Sequence, residues 1–187
     1  MISVQAPDPR PLTREPLALD LLNTQWMASG SPADLLATME GTQAWLAAAE
    51  IAAAPAPQTR HALITARQAI RDMLTAQGRT ASLERLNQVL GHARLRLSIG
   101  PPARPELTLE VDDPAWSPAV MAAANLLELL KQAPDRIRRC QHPACVLWFY
   151  DTTRNGTRRW CSMATCGNRA KAHRHYCLLY TSPSPRD

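Results

Sequence analysis

The sequence lacks a long apolar segment and the signature motifs of the common enzyme classes. No run of about 18 apolar residues occurs, which excludes an ordinary transmembrane helix. Residues 1–16 contain charged residues and four prolines, so they do not resemble a secretory signal. No Gly-rich phosphate loop, HExxH, GxSxG or paired-carboxylate motif is present, and His61 and His92 have no second ligand at metal-binding spacing. We therefore expect a cytoplasmic protein that neither enters a membrane nor acts as an enzyme.

Lysine is also scarce, and the basic residues are unevenly distributed. Arginine outnumbers lysine 19 to 2, which we attribute to genomic base composition, so arginine counts alone carry no argument. Residues 134–177 hold nine basic and two acidic residues, a charge of +7, whereas residues 1–133 hold eleven basic and thirteen acidic residues. Such a basic segment is typical of contact with a phosphate backbone. A solvated surface, an acidic protein partner or compensation of a metal–thiolate centre would also account for it.

Only five cysteines occur, but four of them form two matched pairs. The pairs are Cys140-QHPA-Cys145 and Cys161-SMAT-Cys166. Four thiolates suit one tetrahedral Zn²⁺ ion, and a site filled by four protein ligands leaves no position for a reactive water, so we expect a structural zinc ion. Disulfides, which belong to oxidising compartments, unligated thiols and an iron–sulfur cluster are the alternatives.

The apolar spacing of residues 1–133 predicts a mainly helical domain with one β-hairpin. A period near 3.6 predicts helices at residues 17–27, from Ser31-Pro32 through Met39, and at 42–51, 59–77, 80–91 and 117–131. Between Arg94 and Val111 the period changes to 2, which predicts the hairpin. Together with a small finger made of a hairpin and a helix, the fold class is α+β.

Two polar residues lie on the first predicted helix. Asp20 and Asn23 are three residues apart, so both side chains would lie on one helix face. They could bind a small molecule, or they could form a buried polar network that fixes the packing.

The segment between the cysteine pairs predicts a second hairpin. Aromatic residues flank an Asn155-Gly156 dipeptide, a signal for a type I′ turn between residues 146 and 160. The rings would fill the core around the metal or stack on bases. Gly167 could adopt a positive φ next to its cysteine neighbour, and a basic helix is expected to follow.

The finger sequence resembles a known family. CxxxxC followed by TTRNGTRRWCSMATCGNRAKAHRH is similar to the CGNR zinc finger of bacteria, and LALDLLNT with the elements after it resembles the ABATE domain, which precedes this finger in a family proposed to contain stress-induced transcription regulators. The resemblance implies that Cys140, Cys145, Cys161 and Cys166 bind zinc and that Gly167-Asn168-Arg169 belongs to a DNA-binding element.

The resemblance also organises the chain. We expect a flexible N-terminus at residues 1–13, an ABATE-like domain at 14–133 and a zinc finger at 134–176. Family members usually continue as a basic helix, whereas residues 177–187 break that pattern, so this tail is predicted to be disordered and not native.

These observations predict a DNA-binding transcription regulator, acting as a homodimer or with a partner, whose helical domain senses a ligand or mediates dimerisation. RNA is a second possible nucleic acid. The alternative is a small-molecule-binding or protein-interaction module in which the zinc finger is only structural. The predicted nucleic-acid contacts are the polar and basic residues of the finger, Arg154, Arg158, Arg159, Asn168, Arg169, Lys171 and Arg174.

Overall fold

The computed structural model describes residues 8–76, 79–172 and 176. These residues form a helical domain followed by a small finger, which confirms the α+β class. None of the described helices combines the length and apolarity that crossing a membrane requires. The main elements in chain order are α1 (Leu17–Leu22), β1 (Gln25–Ala28), β2 (Ser31–Asp34), α2 (Met39–Ala48), α3 (Pro57–Thr75), α4 (Thr80–Leu90), β3 (Ala93–Gly100), β4 (Arg104–Val111), α5 (Ser117–Gln132), β5 (Ile137–Arg139) and β6 (Trp148–Tyr150).

Helix α3 is the centre of the helical domain, and it packs against α1, α4 and α5. Its apolar stripe, which includes Leu63, Ala66 and Ile70, is fully or almost fully buried. Pro57 suits the first turn because its missing N–H has no partner there in any helix. The burial of this stripe follows the 3.6-residue period from which the helix was predicted.

Helix α2 has a side-chain cap at its first turn. The Thr38 hydroxyl accepts a hydrogen bond from the Gly41 N–H at 3.0 Å. Removing it in Thr38→Ala leaves a helix N–H without a protein partner, so we expect a loss of about 1 kcal/mol in the free energy of unfolding, measured in urea. Thr38→Ser retains the cap and is expected to stay within about 0.5 kcal/mol of wild type; equal losses in both variants would contradict the role of the cap.

The first predicted helix is too long, and the helix predicted from Ser31-Pro32 is wrong. Helix α1 ends at Leu22, and β1 pairs antiparallel with β2, with Trp26 opposite Ala33. Ser29 has φ 50° and Gly30 has φ 89°, so both turn residues are in the left-handed conformation of a type I′ hairpin. The polar turn, rather than the apolar spacing, decides the local structure here.

An ion pair between buried Arg67 and half-buried Asp34 fixes this small hairpin to α3. Arg67 donates to both carboxylate oxygens of Asp34, at 2.6 and 2.7 Å, and to the Thr24 hydroxyl at 2.8 Å. Burial raises the pKa of Asp34, but the hydrogen bonds and charge of Arg67 outweigh it and hold the pKa below its usual value. The fork of Arg67 thus joins β2 to the helical core.

The second hairpin of the domain is confirmed, and we call its residues 93–111 the arm. Strands β3 and β4 pair from Ala93 opposite Val111 to Gly100 opposite Arg104. At its base, the His92 ring stacks on Trp116 with 3.6 Å between ring centroids. The arm is anchored at this end and extends from the domain.

The finger hairpin exists, but between strands that differ from the predicted ones. Strand β6 pairs with β5, which precedes the first cysteine pair, with Phe149 opposite Arg138. Residues 153–156 form a turn in which the Gly156 N–H donates to the Thr153 carbonyl at 3.2 Å. Only Gly156 of the Asn-Gly pair has a positive φ, at 60°, so this is not a type I′ turn.

The other edge of β6 is paired with side chains of the helical domain. The Asn23 amide donates to the Trp148 carbonyl and accepts from the Trp148 N–H, both at 2.9 Å. Two residues along the strand, the Tyr150 N–H donates to Glu15 at 2.8 Å. Trp148 itself belongs to the main hydrophobic core. The finger therefore packs directly on α1 and is not a separate domain joined by a flexible linker.

Candidate metal centre and basic surface

The four cysteines predicted as metal ligands meet at one point. Their sulfur atoms all lie within 4.8 Å of one another, and every residue of the set is buried. The Sγ atoms of Cys145 and Cys161 are 3.8 Å apart, and those of Cys161 and Cys166 are 3.6 Å apart. Sulfurs bound to one tetrahedral Zn²⁺ at 2.3 Å are separated by about 3.8 Å. The observed spacing therefore fits zinc and excludes a disulfide within this set.

Two backbone loops present these sulfurs. In the first loop the Cys140 N–H donates to the Leu147 carbonyl and the Cys145 N–H donates to the His142 carbonyl, both at 2.9 Å. The second loop contains a π-helical turn, Met163–Gly167, which carries Cys166. The Cys161 N–H also points at the Cys140 sulfur, 3.4 Å away. Such N–H···S contacts stabilise a thiolate that binds metal.

The thiols perturb one another strongly. The hydrogen bond with Cys161 lowers the pKa of Cys145 to about 5, while the same bond raises the pKa of Cys161. Burial raises the pKa of Cys166 to about 11. Four sulfurs in contact cannot all ionise without a cation, because the negative charges repel one another. A divalent ion would replace the protons and offset this repulsion.

Zinc is the cofactor that this donor set holds. All four ligands are soft sulfurs, which favours Zn²⁺ over Mg²⁺ or Ca²⁺. Four protein ligands would fill the coordination of the ion and leave no position for a reactive water, as in zinc sites that stabilise a fold. Phe149, fully buried, packs with the cysteines in the core of the finger.

Gly167 does not adopt the predicted positive φ, and it lies within the π-helical turn. A Cβ at this position would meet the Met163 sulfur at 2.8 Å and the Trp160 ring at 3.3 Å. Met163 is exposed and flexible and can move aside, so the close approach of the Trp160 ring is the remaining constraint on a larger side chain here.

The Arg158 side chain makes several contacts within the finger. Its guanidinium donates to the Trp160 carbonyl at 3.0 Å and to the Cys161 carbonyl at 2.6 Å. The same group lies over the Phe149 ring, 4.2 Å from the centroid, and 3.7 Å from Glu15. Because these partners occupy the guanidinium, Arg158 holds the second cysteine loop in position rather than reaching outward.

A second buried network fixes the loop at residues 151–158. The Asp151 carboxylate accepts hydrogen bonds from the N–H and hydroxyl of Thr153 and from the Arg158 N–H. Burial raises the pKa of Asp151, but these bonds keep it below its ordinary value. Arg136 donates to the backbone carbonyls of Asp151 and Thr153. The sequence pattern did not single out Asp151 or Arg136, because only their packing reveals the role.

Most of the other predicted nucleic-acid contacts are exposed on the finger. Arg154 lies in the turn, Arg159 hydrogen-bonds Gln141 at 2.6 Å, and residues 168–172 are helical, as expected after the second cysteine pair. Within the described part of the finger, residues 134–172, six basic side chains have no carboxylate within ion-pair distance: Arg136, Arg139, Arg154, Arg159, Arg169 and Lys171. Asn168 is exposed and its amide donates to the Ala164 carbonyl. Arg174 lies outside the described residues, as do residues 1–7 and the predicted tail at 177–187.

The Asp20 and Asn23 side chains are buried and hydrogen-bond to different protein partners. Asp20 accepts hydrogen bonds from Arg10 at 2.6 Å and from the Trp45 indole at 2.9 Å, and Asn23 pairs with the Trp148 backbone. The arrangement favours the packing interpretation over a shared binding site. The partner Arg10 is buried, so the predicted flexible segment at residues 1–13 is too long: it is anchored from Asp8 onward, where Asp8 also pairs with Arg10.

Comparison with protein families agrees with this division of the chain. The CGNR zinc finger model matches residues 136–177. The ABATE model, described as "Putative stress-induced transcription regulator", matches residues 15–130. Both descriptions concern regulators or metal-binding fingers rather than enzymes. No match was found among curated proteins. Since the ABATE match spans more than half of the chain, the protein belongs to the ABATE family and carries a zinc-binding CGNR finger after the ABATE domain.

Proposed function

We propose that the protein regulates transcription by binding duplex DNA through the exposed basic side chains of its finger. The observation that carries the proposal is the set of exposed cations without carboxylate partners around a closed zinc site. The proposal places the protein in the cytoplasm, where reduced thiols and bacterial DNA are both present.

Charge supports this interpretation. The described part of the finger, residues 134–172, holds eight basic residues and only Asp135 and Asp151 as acids. Asp151 is buried and its carboxylate is occupied by the loop it folds. A zinc ion with four thiolates carries −2, which offsets only part of the excess. The remaining positive potential attracts phosphate groups and accelerates encounter with DNA.

The zinc site and the Asp151 network hold the exposed side chains on a defined backbone. Arg154 projects from a turn whose carbonyls are held by Arg136, and Arg169 lies three residues after the ligand Cys166. Little backbone entropy is therefore lost when these groups meet phosphates. A handful of such contacts gives weak binding at physiological salt, so we expect a second DNA-binding subunit to contribute.

Replacing Arg154, Arg159 and Arg169 together with alanine tests the proposal. We expect duplex DNA affinity at low salt to fall about 100-fold or more, and the slope of log K against log salt to become shallower by about 3, since each lost phosphate contact removes about 0.9 from it. Fluorescence anisotropy with a labelled duplex across a salt series measures both quantities.

The matched control removes the same charge far from the finger. Arg85, Arg94 and Arg104 are exposed on the helical domain, where the first two form only surface ion pairs at 3.2 and 3.9 Å, which contribute little stability. Their alanine triple variant should keep most of the affinity and slope. An equal loss of affinity in both triple variants would show that only net charge matters, and not the position of the finger arginines. Tighter binding to single-stranded RNA than to duplex DNA would identify RNA as the target instead.

Ligand sensing by the helical domain stays a prediction. A cavity of about 490 Å³ lies beside α1 and is lined by Arg14, Glu15 and Asp20 among others. Asn23 does not line it, and the Asp20 carboxylate already has three hydrogen-bond donors, Arg10, Trp45 and the Arg14 N–H. An effector in this cavity would have to contact the rim rather than the predicted polar pair.

A further inference from the structure

The arm exposes large apolar side chains on one face. They are Leu95 (60% exposed), Leu97 (76%), Ile99 (77%), Leu107 (66%) and Leu109 (42%). In the register of the hairpin, Leu95 is opposite Leu109 and Leu97 is opposite Leu107, so these residues form one continuous surface. Monomeric proteins rarely leave such a patch in water.

The opposite face of the arm is polar and carries charges of both signs. The polar residues of β3 alternate with the apolar ones and face polar residues of β4. The pairs are Arg94 with Glu110, Arg96 with Thr108 and Ser98 with Glu106. The Arg96 guanidinium lies 3.0 Å from the Glu110 carboxylate. This polar face can be exposed to solvent without an energetic penalty. A two-stranded ribbon whose apolar face is also in water is at best marginally stable, so the apolar face requires cover.

We infer that the arm is a dimerisation element, and that the apolar face of one copy packs against the apolar face of a second copy of this chain. At the observed exposures, five such side chains present on the order of 600 Å² of apolar surface, against about 800 Å² that each partner buries in a stable interface. A two-fold axis crossing the strands brings two self-complementary ribbons together with sheets about 10 Å apart.

A neighbouring groove supplies the remaining area. At the base of the arm, Leu109 and Val111 also line a cavity of about 460 Å³ whose other walls include Ala52, Ala53 and Ala56. When two arms pack antiparallel, the tip of one, with Ile99, reaches this apolar groove at the base of the other. The interface is then closed and symmetric, with the same contacts made twice.

Nucleic acid and lipid fit this surface less well than a second copy. Among the described residues the apolar face presents no arginine or lysine. On the polar face Arg96 lies beside Glu110 and Arg94 lies beside Asp112. The one arginine of the arm without a carboxylate partner, Arg104, lies at the tip on the polar face, so the apolar face itself offers no cation to the phosphate groups of DNA or of a lipid surface. This inference is independent of DNA binding by the finger.

The test is sedimentation equilibrium of the full zinc-loaded chain from about 0.1 to about 100 μM, a range that covers dimers with micromolar Kd. We expect a monomer–dimer equilibrium, and at least about a 100-fold increase in the dimer Kd for the double variant Leu97→Glu and Leu107→Glu, because it buries four carboxylates in the dimer. Ile99→Ser, at the tip, should weaken the dimer by a smaller factor.

The matched control is Thr108→Glu, which adds a carboxylate to the polar face opposite Arg96 and should leave the dimer Kd within about 3-fold. Zinc content and circular dichroism verify that each variant is folded. A wild-type chain that stays monomeric, a double variant that dimerises as tightly as wild type, or a wild-type monomer that sediments with phosphatidylglycerol vesicles would overturn the inference.

Discussion

Replacing Cys161 with serine is expected to unfold the finger and to destabilise the helical domain with it. Cys161 lies between two other ligands, with its sulfur 3.8 Å from that of Cys145 and 3.6 Å from that of Cys166. Structural zinc supplies about 10 kcal/mol or more of folding free energy in small fingers. Three thiolates and a hydroxyl retain only part of this, so we expect the free energy of unfolding to drop by at least about 4 kcal/mol.

The loss should extend beyond the finger because Trp148 is part of the main core. Guanidinium unfolding followed by circular dichroism reports the helices, and a colorimetric assay of released zinc reports the metal. The control Ala164→Ser adds a hydroxyl at an exposed position of the same loop and should remain close to wild type. A chelated wild-type protein should behave like Cys161→Ser; unchanged helix stability in both would show that the two parts fold separately.

The second large effect is expected for Asn23→Asp. Asn23 is fully buried and forms two hydrogen bonds with the Trp148 backbone, one as donor and one as acceptor. Aspartate retains the acceptor, loses the donor and places a buried charge against the Trp148 carbonyl oxygen. We expect a loss of about 3 to 5 kcal/mol at pH 7, measured by urea unfolding.

The pH dependence identifies the cause. Burial without a cation raises the folded pKa of the new carboxyl above its unfolded value near 4, so folding favours the protonated form. The penalty is therefore largest above the folded pKa and decreases as the pH falls toward about 4, where a protonated carboxyl can again donate to Trp148. The exposed Asn87→Asp on α4 is the control, with an expected change below about 0.5 kcal/mol. A penalty independent of pH would point to packing rather than charge.

The long amphipathic helices and the metal ligands were predictable because their signals are local. Helix α3 has a repeating apolar stripe over five turns, and the arm alternates strictly between apolar and polar residues. Each cysteine pair is recognised from a spacing of only five positions in the sequence. In these cases the short-range pattern and the tertiary environment favour the same structure.

The incorrect predictions lie where a distant partner decides the local structure. Helix α1 stops at Leu22, and the next residue pairs with Trp148, 125 positions away. A Ser29-Gly30 dipeptide, typical of a tight turn, was the available signal for the hairpin that follows. Likewise β6 pairs with β5 across the first cysteine pair, because the turn at residues 153–156 is held by Asp151 and Arg136 instead of by strand pairing.

The docking of β6 onto α1 has a consequence for how an operator would be arranged. The finger is fixed to the domain that also carries the arm by the hydrogen bonds of Asn23 and Glu15 to β6 and by the packing of Trp148 in the main core. In a dimer joined through the arms, the separation and relative angle of the two basic surfaces are then set by the protein and not by a flexible tether. Such a dimer would favour inverted repeats whose centres lie a fixed number of helical turns apart, and inserting half a turn of DNA between them would move one repeat to the far side of the duplex.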